Sequence, residues 1–246
     1  MEDVDESKDR EGPPILGNDQ MTSASRASGF EPEMLLDSAR RFAAEHTGLL
    51  IVDMQNDFCT AGFGAHRAGR DISAAIAAIH GIRRLLDAAR KARVAVAHVG
   101  FQTLPNHASD SGPWLAQRRR ATFSAEDLCL AGSEGAAFIE PLAPIAGEWV
   151  VYKHRYSAFT GTDLDLLLRA RRIRSLVVAG VSTNACVEST VRAGFELDYY
   201  ICTPPDATGS WDRRLHEATL ANIDHRFGLT LSVDEIVDIW TPPGSS

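Results

Sequence analysis

Three side chains with complementary chemistry stand where short apolar runs of the sequence end. Asp53 closes the run GLLIVD, Lys153 follows WVVY, and Cys186 comes after SLVVAG and a four-residue turn. If these runs are parallel strands, their carboxyl ends share one edge of a sheet and the three side chains can converge. A thiol, an ammonium and a carboxylate held together make an activated nucleophile with its own general acid/base.

The position of Cys186 favours this chemistry, because the pattern predicts that a helix begins at this point. Free N–H groups and the positive end of the helix dipole lower the pKa of a thiol, and a nearby lysine favours the thiolate further. The Cys186 N–H, with one from the preceding turn, would hold an oxyanion. Taken singly, each residue also has a structural interpretation: the aspartate as a cap, the cysteine as a small packed side chain, the lysine as a solvated strand end.

The apolar pattern alternates between strands and helices along most of the chain. It predicts strands at 48–53, 94–100, 148–152, 175–180, 197–203 and 229–233, and helices at 71–93, 162–172, 185–196 and 211–226. This alternation predicts an α/β fold, a three-layer α/β/α sandwich with a mainly parallel, Rossmann-like central sheet. Segment 101–147 does not follow this alternation and is long for a connection, which favours a lid or substrate loop. The domain spans 31–241, between tails at 1–30 and 242–246 whose composition predicts disorder.

Composition excludes several classes of partner. The chain has 246 residues and a net charge of −8, with 25 basic residues against 33 acidic ones. An acidic chain does not favour nucleic acid, so the basic run 118–120 is interpreted as a solvated surface. No apolar stretch reaches membrane-spanning length, the N-terminus has no secretory pattern, and four irregularly spaced cysteines favour reduced thiols. We therefore expect a cytoplasmic protein without a nucleic-acid or membrane partner.

Three blocks of sequence, in this order, carry a resemblance to a known family. LLIVDMQNDFC (49–59), YKHRYSAF (152–159) and VVAGVSTNACVESTVRAGFELDYY (177–200) resemble the isochorismatase-like cysteine hydrolases, and the likeness spans about residues 45–240. The resemblance implies that Asp53 is the general acid/base, Lys153 the catalytic lysine and Cys186 the nucleophile. It also implies a cis peptide bond between Val181 and Ser182, with the Ser182 and Cys186 N–H groups as the oxyanion hole.

Within that superfamily, the resemblance is strongest to the ureidoacrylate and biuret amidohydrolases. Nicotinamidases carry an Asp-x-His plus His metal site, whereas His98 and His107 lack that spacing, so no metal or other cofactor is expected. Cys186 favours acyl chemistry over the vinyl-ether chemistry of true isochorismatases. The expected substrate is a small amide or ureido compound. The residues expected to contact it are Phe58, Gln102, Tyr156, Phe159 and Asn184.

The sequence thus predicts a cysteine amidohydrolase that releases ammonia or carbamate through a thioester. The resemblance further implies a homodimer or homotetramer. Two alternatives stay open: a vinyl-ether hydrolase in which Asp53 protonates carbon and Cys186 is idle, and a catalytically silent binding module on the same fold. Asp57, in the same loop as Asp53, is a weaker candidate than Asp53 for acid/base chemistry, and Glu188, in the helix of the nucleophile, is interpreted as structural.

Overall fold

The computed structural model describes residues 31–120 and 127–241. The chain divides into two compact units, Met1–Leu35 and Leu36–Ser246. Residues 31–35, the described part of the first unit, contain no helix or strand, so every element named below belongs to the second unit. The tails predicted at 1–30 and 242–246 lie outside the described residues.

The described residues include six strands, which form one parallel sheet. They are β1 (Thr47–Val52), β2 (Ala95–Phe101), β3 (Trp149–Lys153), β4 (Ser175–Val181), β5 (Tyr200–Cys202) and β6 (Thr208–Gly209). The order across the sheet is β3-β2-β1-β4-β5, and β6 pairs with the end of β4 beyond β5. The strand order reverses between β1 and β4, and ligand sites of open α/β sheets lie at such a reversal, beyond the carboxyl ends of the strands.

Helices cover both faces of this sheet. They are α1 (Ser38–Arg41), α2 (Asn56–Cys59), α3 (Gly64–Arg67), α4 (Ser73–Ala92), α5 (Gly112–Arg119), α6 (Leu164–Ala170), α7 (Glu188–Glu196), α8 (Arg213–Arg226) and α9 (Val233–Trp240). Helices α4 and α9 pack on one face, and α6, α7 and α8 pack on the other. This arrangement confirms the predicted three-layer α/β/α fold. Among the described residues, no helix is both long and apolar enough to cross a membrane.

Strand β1 is uniformly apolar because helices pack against both of its faces. Leu49 and Ile51 point into one core and Leu50 and Val52 into the other. At its end, β1 lies very close to β4: a Cβ atom on Gly180 would be 2.1 Å from the Val52 carbonyl oxygen, and Gly180 has a φ of +122°. Only glycine permits this approach and this backbone conformation, so Gly180 brings the ends of β1 and β4 together.

The strand predicted at 229–233 is wrong. Leu229 forms only an isolated bridge with Cys202, and the chain then enters α9. Ser232 and Glu235 cap this helix reciprocally, each side chain accepting a hydrogen bond from the other residue's backbone N–H. The Ser-x-x-Glu spacing of a capping box is visible in the sequence, so the helix was predictable from a signal that the strand assignment overlooked.

Two predicted elements also begin three residues later than expected. The strand predicted from 197 begins at Tyr200, because α7 continues to Glu196 and Asp198 turns the chain with a φ of 67°. The helix predicted from 185 opens with a π-helical turn, Thr183–Val187, before α7 begins. This second shift bears on the chemistry, because Cys186 lies in the π-helical turn.

Candidate active site

The carboxyl ends of three strands bring Asp53, Lys153 and Cys186 together. Asp53 follows β1 directly, Lys153 is the last residue of β3, and Cys186 follows β4. The Lys153 Nζ donates a hydrogen bond of 2.8 Å to Asp53 Oδ2, and both side chains are at most 1% exposed. Because β2 separates β3 from β1, the lysine side chain must cross the end of β2, and its Nζ lies 5.0 Å from the centre of the Phe101 ring.

The backbone holds Asp53 in a conformation that few residues other than glycine adopt. Its φ is 55°, in the left-handed region. Such a residue costs of order 1–3 kcal/mol and persists where its surroundings fix it. The Asp53 N–H donates to the Val99 carbonyl oxygen at 2.8 Å, and the Gln55 N–H donates to the Asp53 carbonyl oxygen at 2.8 Å. These two bonds fix the backbone of Asp53 and so help to position its carboxylate.

Two buried polar side chains after Asp53 tie segment 101–147 to the sheet. The Gln55 amide donates to the carbonyl oxygens of Phe101 and Ala136, at 2.9 and 2.7 Å. Asp57 accepts hydrogen bonds from the N–H groups of Gly64, at 2.9 Å, and Cys129, at 2.7 Å. Asp57 therefore fixes loops around the site, and its two carboxylate oxygens are occupied by these N–H groups.

The charges of the three central groups depend on one another. Burial raises the pKa of the Asp53 carboxyl, which stays raised although Lys153 and the Cys186 thiol act against it. Burial lowers the pKa of the Lys153 ammonium, but the charges of Asp53 and Cys186 outweigh that effect and raise it overall. The lysine is therefore a permanent cation, and the aspartate takes up a proton more readily than an exposed carboxylate does.

The expected lowering of the Cys186 pKa is wrong for this structure. Burial raises the pKa of the Cys186 thiol, the Asp53 carboxylate raises it further, and Lys153 only partly opposes them. The main physical reason is burial: Cys186, which lies in the π-helical turn before α7, is only 8% exposed. The resting group is a thiol, and a base must take its proton when it attacks.

A network of hydrogen bonds shapes the turn that carries the nucleophile. The Val181–Ser182 peptide bond is cis. The Ser182 and Ser210 hydroxyls both donate to Asn184 Oδ1, at 2.8 and 2.6 Å. Glu188, at the start of α7, pairs with Arg192 and accepts from Thr219, in line with its structural interpretation. This turn places the backbone of Ser182 and Cys186 at the wall of a cavity.

The cavity beside Asp53 and Cys186 has a volume of about 510 Å³. Aromatic rings form much of its wall: Phe58, Phe101, Trp114, Tyr156 and Trp211. Consecutive pairs of these rings lie 4.8 to 6.4 Å apart between centres, so they form a continuous belt. Such a wall suits a planar ligand group, since flat π-systems stack on aromatic faces.

The structure separates the expected substrate contacts into three groups. Phe58 and Tyr156 line the cavity. Asn184 lines only an adjoining pocket, and its Oδ1 already accepts from two serines. Gln102 and Phe159 do not line the cavity. The backbone of Gln102 bonds to Lys153 and His154 along the end of β3, and the Phe159 ring stacks on Tyr199 in the core, 6.0 Å away.

Arginines line part of the cavity, although the basic run 118–120 was expected to form a solvated surface. Arg118 is only 7% exposed and, with Arg120 and Arg70, contributes to the cavity wall. Trp114 of the same helix, α5, was missed as well. The sequence signal was present, since segment 101–147 was singled out as a substrate loop, but the direction in which α5 faces depends on packing with distant residues.

The two histidines considered as metal ligands each bond to a different carboxylate. His98 is fully buried, with its Nε2 2.8 Å from Glu148 Oε2, and His107 Nδ1 lies 2.9 Å from Asp110 Oδ2. In the parts of the chain that are described, no group of three or more His, Cys, Asp or Glu residues is arranged to hold a metal ion.

Comparisons with known proteins agree with this geometry. The isochorismatase domain matches residues 47–235. The ureidoacrylate amidohydrolase RutB of Stutzerimonas stutzeri is 38% identical over 201 residues, which cover 78% of this chain and 81% of the relative. A cysteine hydrolase from Pseudomonas syringae has a TM-score of 0.72 and 26% identity, over 80% of this chain and 93% of its own. The N-carbamoylsarcosine amidase of Thermoplasma acidophilum has a TM-score of 0.61 and 25% identity, over 76% and 95%.

Proposed function

The chain belongs to the isochorismatase family, and from this premise we propose that it is a cysteine amidohydrolase working through a thioester. It is a hydrolase of amide C–N bonds, as its relatives are. The finer proposal is that it cleaves a small amide or ureido group and releases ammonia or carbamate. The observation that supports it most directly is the buried Asp53–Lys153 pair beside the Cys186 thiol.

The first step is attack by the Cys186 sulfur on the substrate carbonyl carbon. Because the thiol is protonated at rest, its proton passes to Asp53 as the C–S bond forms. Asp53 Oδ2 is occupied by Lys153, whereas Oδ1 is buried and has no hydrogen-bond partner among the described residues. Oδ1 is thus the oxygen that receives the proton, and the raised pKa of Asp53 favours that transfer.

The remaining steps use the same groups. The backbone N–H groups of Ser182 and Cys186 stabilise the oxyanion of the tetrahedral intermediate. Asp53 then gives its proton to the leaving nitrogen, the C–N bond breaks, and a thioester remains on Cys186. Asp53 next takes a proton from water, whose oxygen attacks the thioester carbon, and the proton returns to the thiolate as the C–S bond breaks. Lys153 keeps Asp53 ionised between these steps.

Replacement of the nucleophile tests this mechanism. We expect Cys186→Ala to lower kcat/KM by roughly 10⁴-fold or more, since removing one member of a catalytic unit abolishes the action of the whole. The assay is ammonia release from ureidoacrylate, biuret, N-carbamoyl amino acids, maleamate and nicotinamide. Cys202→Ala, at a buried cysteine outside the site, is the matched control.

The outcomes separate the open alternatives. Mass spectrometry of the rapidly quenched wild type should detect an acyl adduct on Cys186. Full turnover in Cys186→Ala, with no adduct in the wild type, would instead identify a vinyl-ether type of hydrolysis that needs only Asp53. Specific binding without any turnover would identify a silent module.

The setting of the enzyme is part of the proposal. We place it in the cytoplasm as a homodimer or homotetramer acting on a small-molecule substrate. All four cysteines are free, which suits a reducing compartment. Light scattering on the purified full-length chain tests the oligomeric state.

A further inference from the structure

A half-buried histidine beside the turn that carries the nucleophile takes no part in the steps above: His216, near the start of α8. We propose that His216 is a positioning residue, which holds the oxyanion hole in shape through the hydroxyl of Thr183. This assignment rests on the proposed function, because the hole stabilises the oxyanion of that reaction. It adds to the site a side chain that contacts no reacting atom.

The oxyanion hole needs an anchor because small displacements of its donors have large effects. Its two proposed N–H groups, from Ser182 and Cys186, belong to one turn, and the Ser182 carbonyl oxygen accepts from the N–H groups of Ala185 and Val187, at 3.0 and 3.2 Å. These bonds close the turn internally, but they do not fix where it lies relative to the cavity. A misplacement of about 1 Å in a catalytic group lowers a rate by roughly 100-fold, so an outside contact must hold the turn in place.

Thr183 connects this turn to α8. Its hydroxyl lies 2.8 Å from His216 Nδ1, and Thr183 is completely buried. The hydroxyl makes no other hydrogen bond among the described residues, so a proton on Nδ1 would leave the hydroxyl hydrogen unpaired in the interior. Thr183 therefore donates to Nδ1, and the neutral ring carries its proton on Nε2. Burial lowers the pKa of His216, although Glu217 acts against it, and this favours the neutral ring.

The start of α8 is itself well fixed, so that it can serve as an anchor. The Asp212 side chain caps the helix by accepting from the N–H groups of Arg214 and Leu215, at 2.9 and 3.4 Å. The His216 N–H donates to the Asp212 carbonyl oxygen at 3.0 Å. The His216 ring therefore projects from a capped helical turn and not from a loop.

A second set of bonds joins the same stretch of chain to the oxyanion hole. Strand β6 pairs with the end of β4, and Ser210 follows β6 directly. Ser210 donates to Asn184 Oδ1 at 2.6 Å, and the Ser182 hydroxyl donates to the same atom at 2.8 Å. The chain from β6 to α8 thus contacts the turn at successive points, and the bond between Thr183 and His216 is the last of them.

The pair acts on a substrate only through the backbone of the turn. Neither Thr183 nor His216 lines the cavity or the adjoining pocket. Loss of the pair should therefore weaken the stabilisation of an oxyanion and spare reactions at Cys186 that form none. A purely structural role would affect both kinds of reaction alike, so the comparison separates the two roles.

Two reactions of the Cys186 thiol measure this difference without a known substrate. With p-nitrophenyl acetate, the sulfur adds to the acetyl carbon, an oxyanion forms, p-nitrophenolate leaves, and the thiol proton passes to Asp53; with iodoacetamide, the sulfur displaces iodide and no oxyanion forms. In the full-length protein we expect His216→Leu to slow acylation by roughly 10- to 100-fold and to leave alkylation within about twofold. His225→Leu, at an exposed histidine of α8, is the control and should change neither rate.

His216→Asn keeps the test valid if the leucine variant folds poorly, since an asparagine Oδ1 takes nearly the position of the histidine Nδ1 and accepts from Thr183. It should restore acylation to within about threefold of the wild type. Thr183→Val should match His216→Leu, and the double variant should be no slower than either alone, because both remove one interaction.

The assignment is overturned if His216→Leu is acylated at the wild-type rate, if alkylation falls by the same factor as acylation, or if His216→Asn is as slow as His216→Leu. Acylation of Cys186→Ala at the wild-type rate would refute the proposed function and this assignment with it, because the hole would then serve no nucleophile. Acylation that depends on His216, without ammonia release from any amide or ureido compound of the assay, would refute only the proposed function.

Discussion

At the scale of single residues, the Asp53–Lys153 pair is a functional feature that the fold must support. Both groups are removed from water almost completely. The desolvation of such a pair offsets most of its attraction, so a buried ion pair contributes little net stability, whereas leaving one partner alone costs about 3–5 kcal/mol. This asymmetry makes the pair's two functions, in stability and in catalysis, separable by mutation.

We expect Lys153→Met to lose activity and to lower the free energy of unfolding by about 3–5 kcal/mol, because it leaves the Asp53 carboxylate buried without a cation. The double variant Asp53→Asn/Lys153→Met should recover most of that stability and none of the activity. Urea unfolding and ammonia release measure the two effects. A double variant as unstable as Lys153→Met alone would show that the loss comes from packing and not from charge.

Lys153→Arg tests why this chain, with Lys8, Lys91 and Lys153 as the three lysines among 25 basic residues, uses lysine here. The ammonium is fully buried in a space that the larger, planar guanidinium does not match. We expect a folded protein whose kcat/KM falls by roughly 100-fold, since a displacement of about 1 Å in a catalytic group has effects of that size. Circular dichroism and the ammonia assay provide the two measurements. Turnover near that of the wild type would mean that any cation suffices.

Asp53→Asn should lower the pKa of the Cys186 thiol. Burial would still raise this pKa, and it is the larger cause. The negative charge of Asp53, the second cause, would be gone, so no carboxylate would offset the lowering effect of Lys153. The measurement is the pH dependence of alkylation by iodoacetamide, whose midpoint should shift to lower pH while turnover is lost. Asp57→Asn, at the other buried aspartate of the loop, is the matched control. An unchanged midpoint would contradict the charge coupling between Asp53 and the thiol.

At the scale of elements, a buried network ties α4, β2 and the start of β3 together. Arg90 of α4 and His98 of β2 both bond to Glu148, which directly precedes β3. His98 Nδ1 is buried and has no hydrogen-bond partner among the described residues, and burial lowers the pKa of the ring. Protonation would add a buried N–H at Nδ1 without an acceptor, so the native state holds His98 neutral, with its Nε2–H donating to Glu148 Oε2.

The sign of the resulting pH effect follows from linkage. Because the folded pKa of His98 lies below its ordinary value of 6.5, the unfolded chain binds the proton first, and stability falls as the pH drops from about 7.5 through 6.5. We expect a slope of up to about 1.4 kcal/mol per pH unit for this one proton. His98→Gln, which keeps a donor for Glu148, should reduce the slope, and urea unfolding at several pH values measures it.

Two neighbouring effects are separable from that of His98. His216 also has a lowered pKa through burial, so the slope should shrink in His98→Gln and not vanish. The pKa of Glu148 is lowered from 4.5, so its contribution is lost only below that pH. His225→Gln, on the exposed side of α8, controls for the exchange of histidine for glutamine. An identical slope in His98→Gln and the wild type would contradict the assignment.

The strands and helices also show which parts of the fold and of the site could be predicted from the sequence alone. The buried strands β1 and β4 and the edge strand β3 were predictable because continuous apolar runs have few other uses. Asp53, Lys153 and Cys186 were predictable as site residues because each stands at or after the end of such a run. The inward direction of Arg118 was not, since it depends on aromatic rings far away in sequence. The raised pKa of Cys186 was not either, because burial is a property of the assembled fold and outweighs the local effect of the turn.

At the scale of the whole molecule, the protein combines a negative net charge with a cavity lined by arginines. The net charge of −8 disfavours the approach of anions in general, whereas three arginines line the cavity beside Asp53 and Cys186. Any anion that enters the cavity must therefore be attracted by short-range contacts. Long-range steering by the surface would act in the opposite direction.

Burial within this fold determines which of the four thiols a reagent can reach. Cys59, Cys129 and Cys202 are buried in cores, and burial raises the pKa of Cys59 and Cys202 to about 12. Cys186 is also protonated at rest, but among these four it alone lines the cavity. With iodoacetamide at neutral pH, we expect slow labelling confined to Cys186 in the native protein and labelling of all four in urea, as read by peptide mass spectrometry. Cys186→Ala should remove the native reaction. Labelling of Cys59, Cys129 or Cys202 as fast as Cys186 would mean that reactivity follows general opening of the core, which would remove the case for a distinct nucleophile.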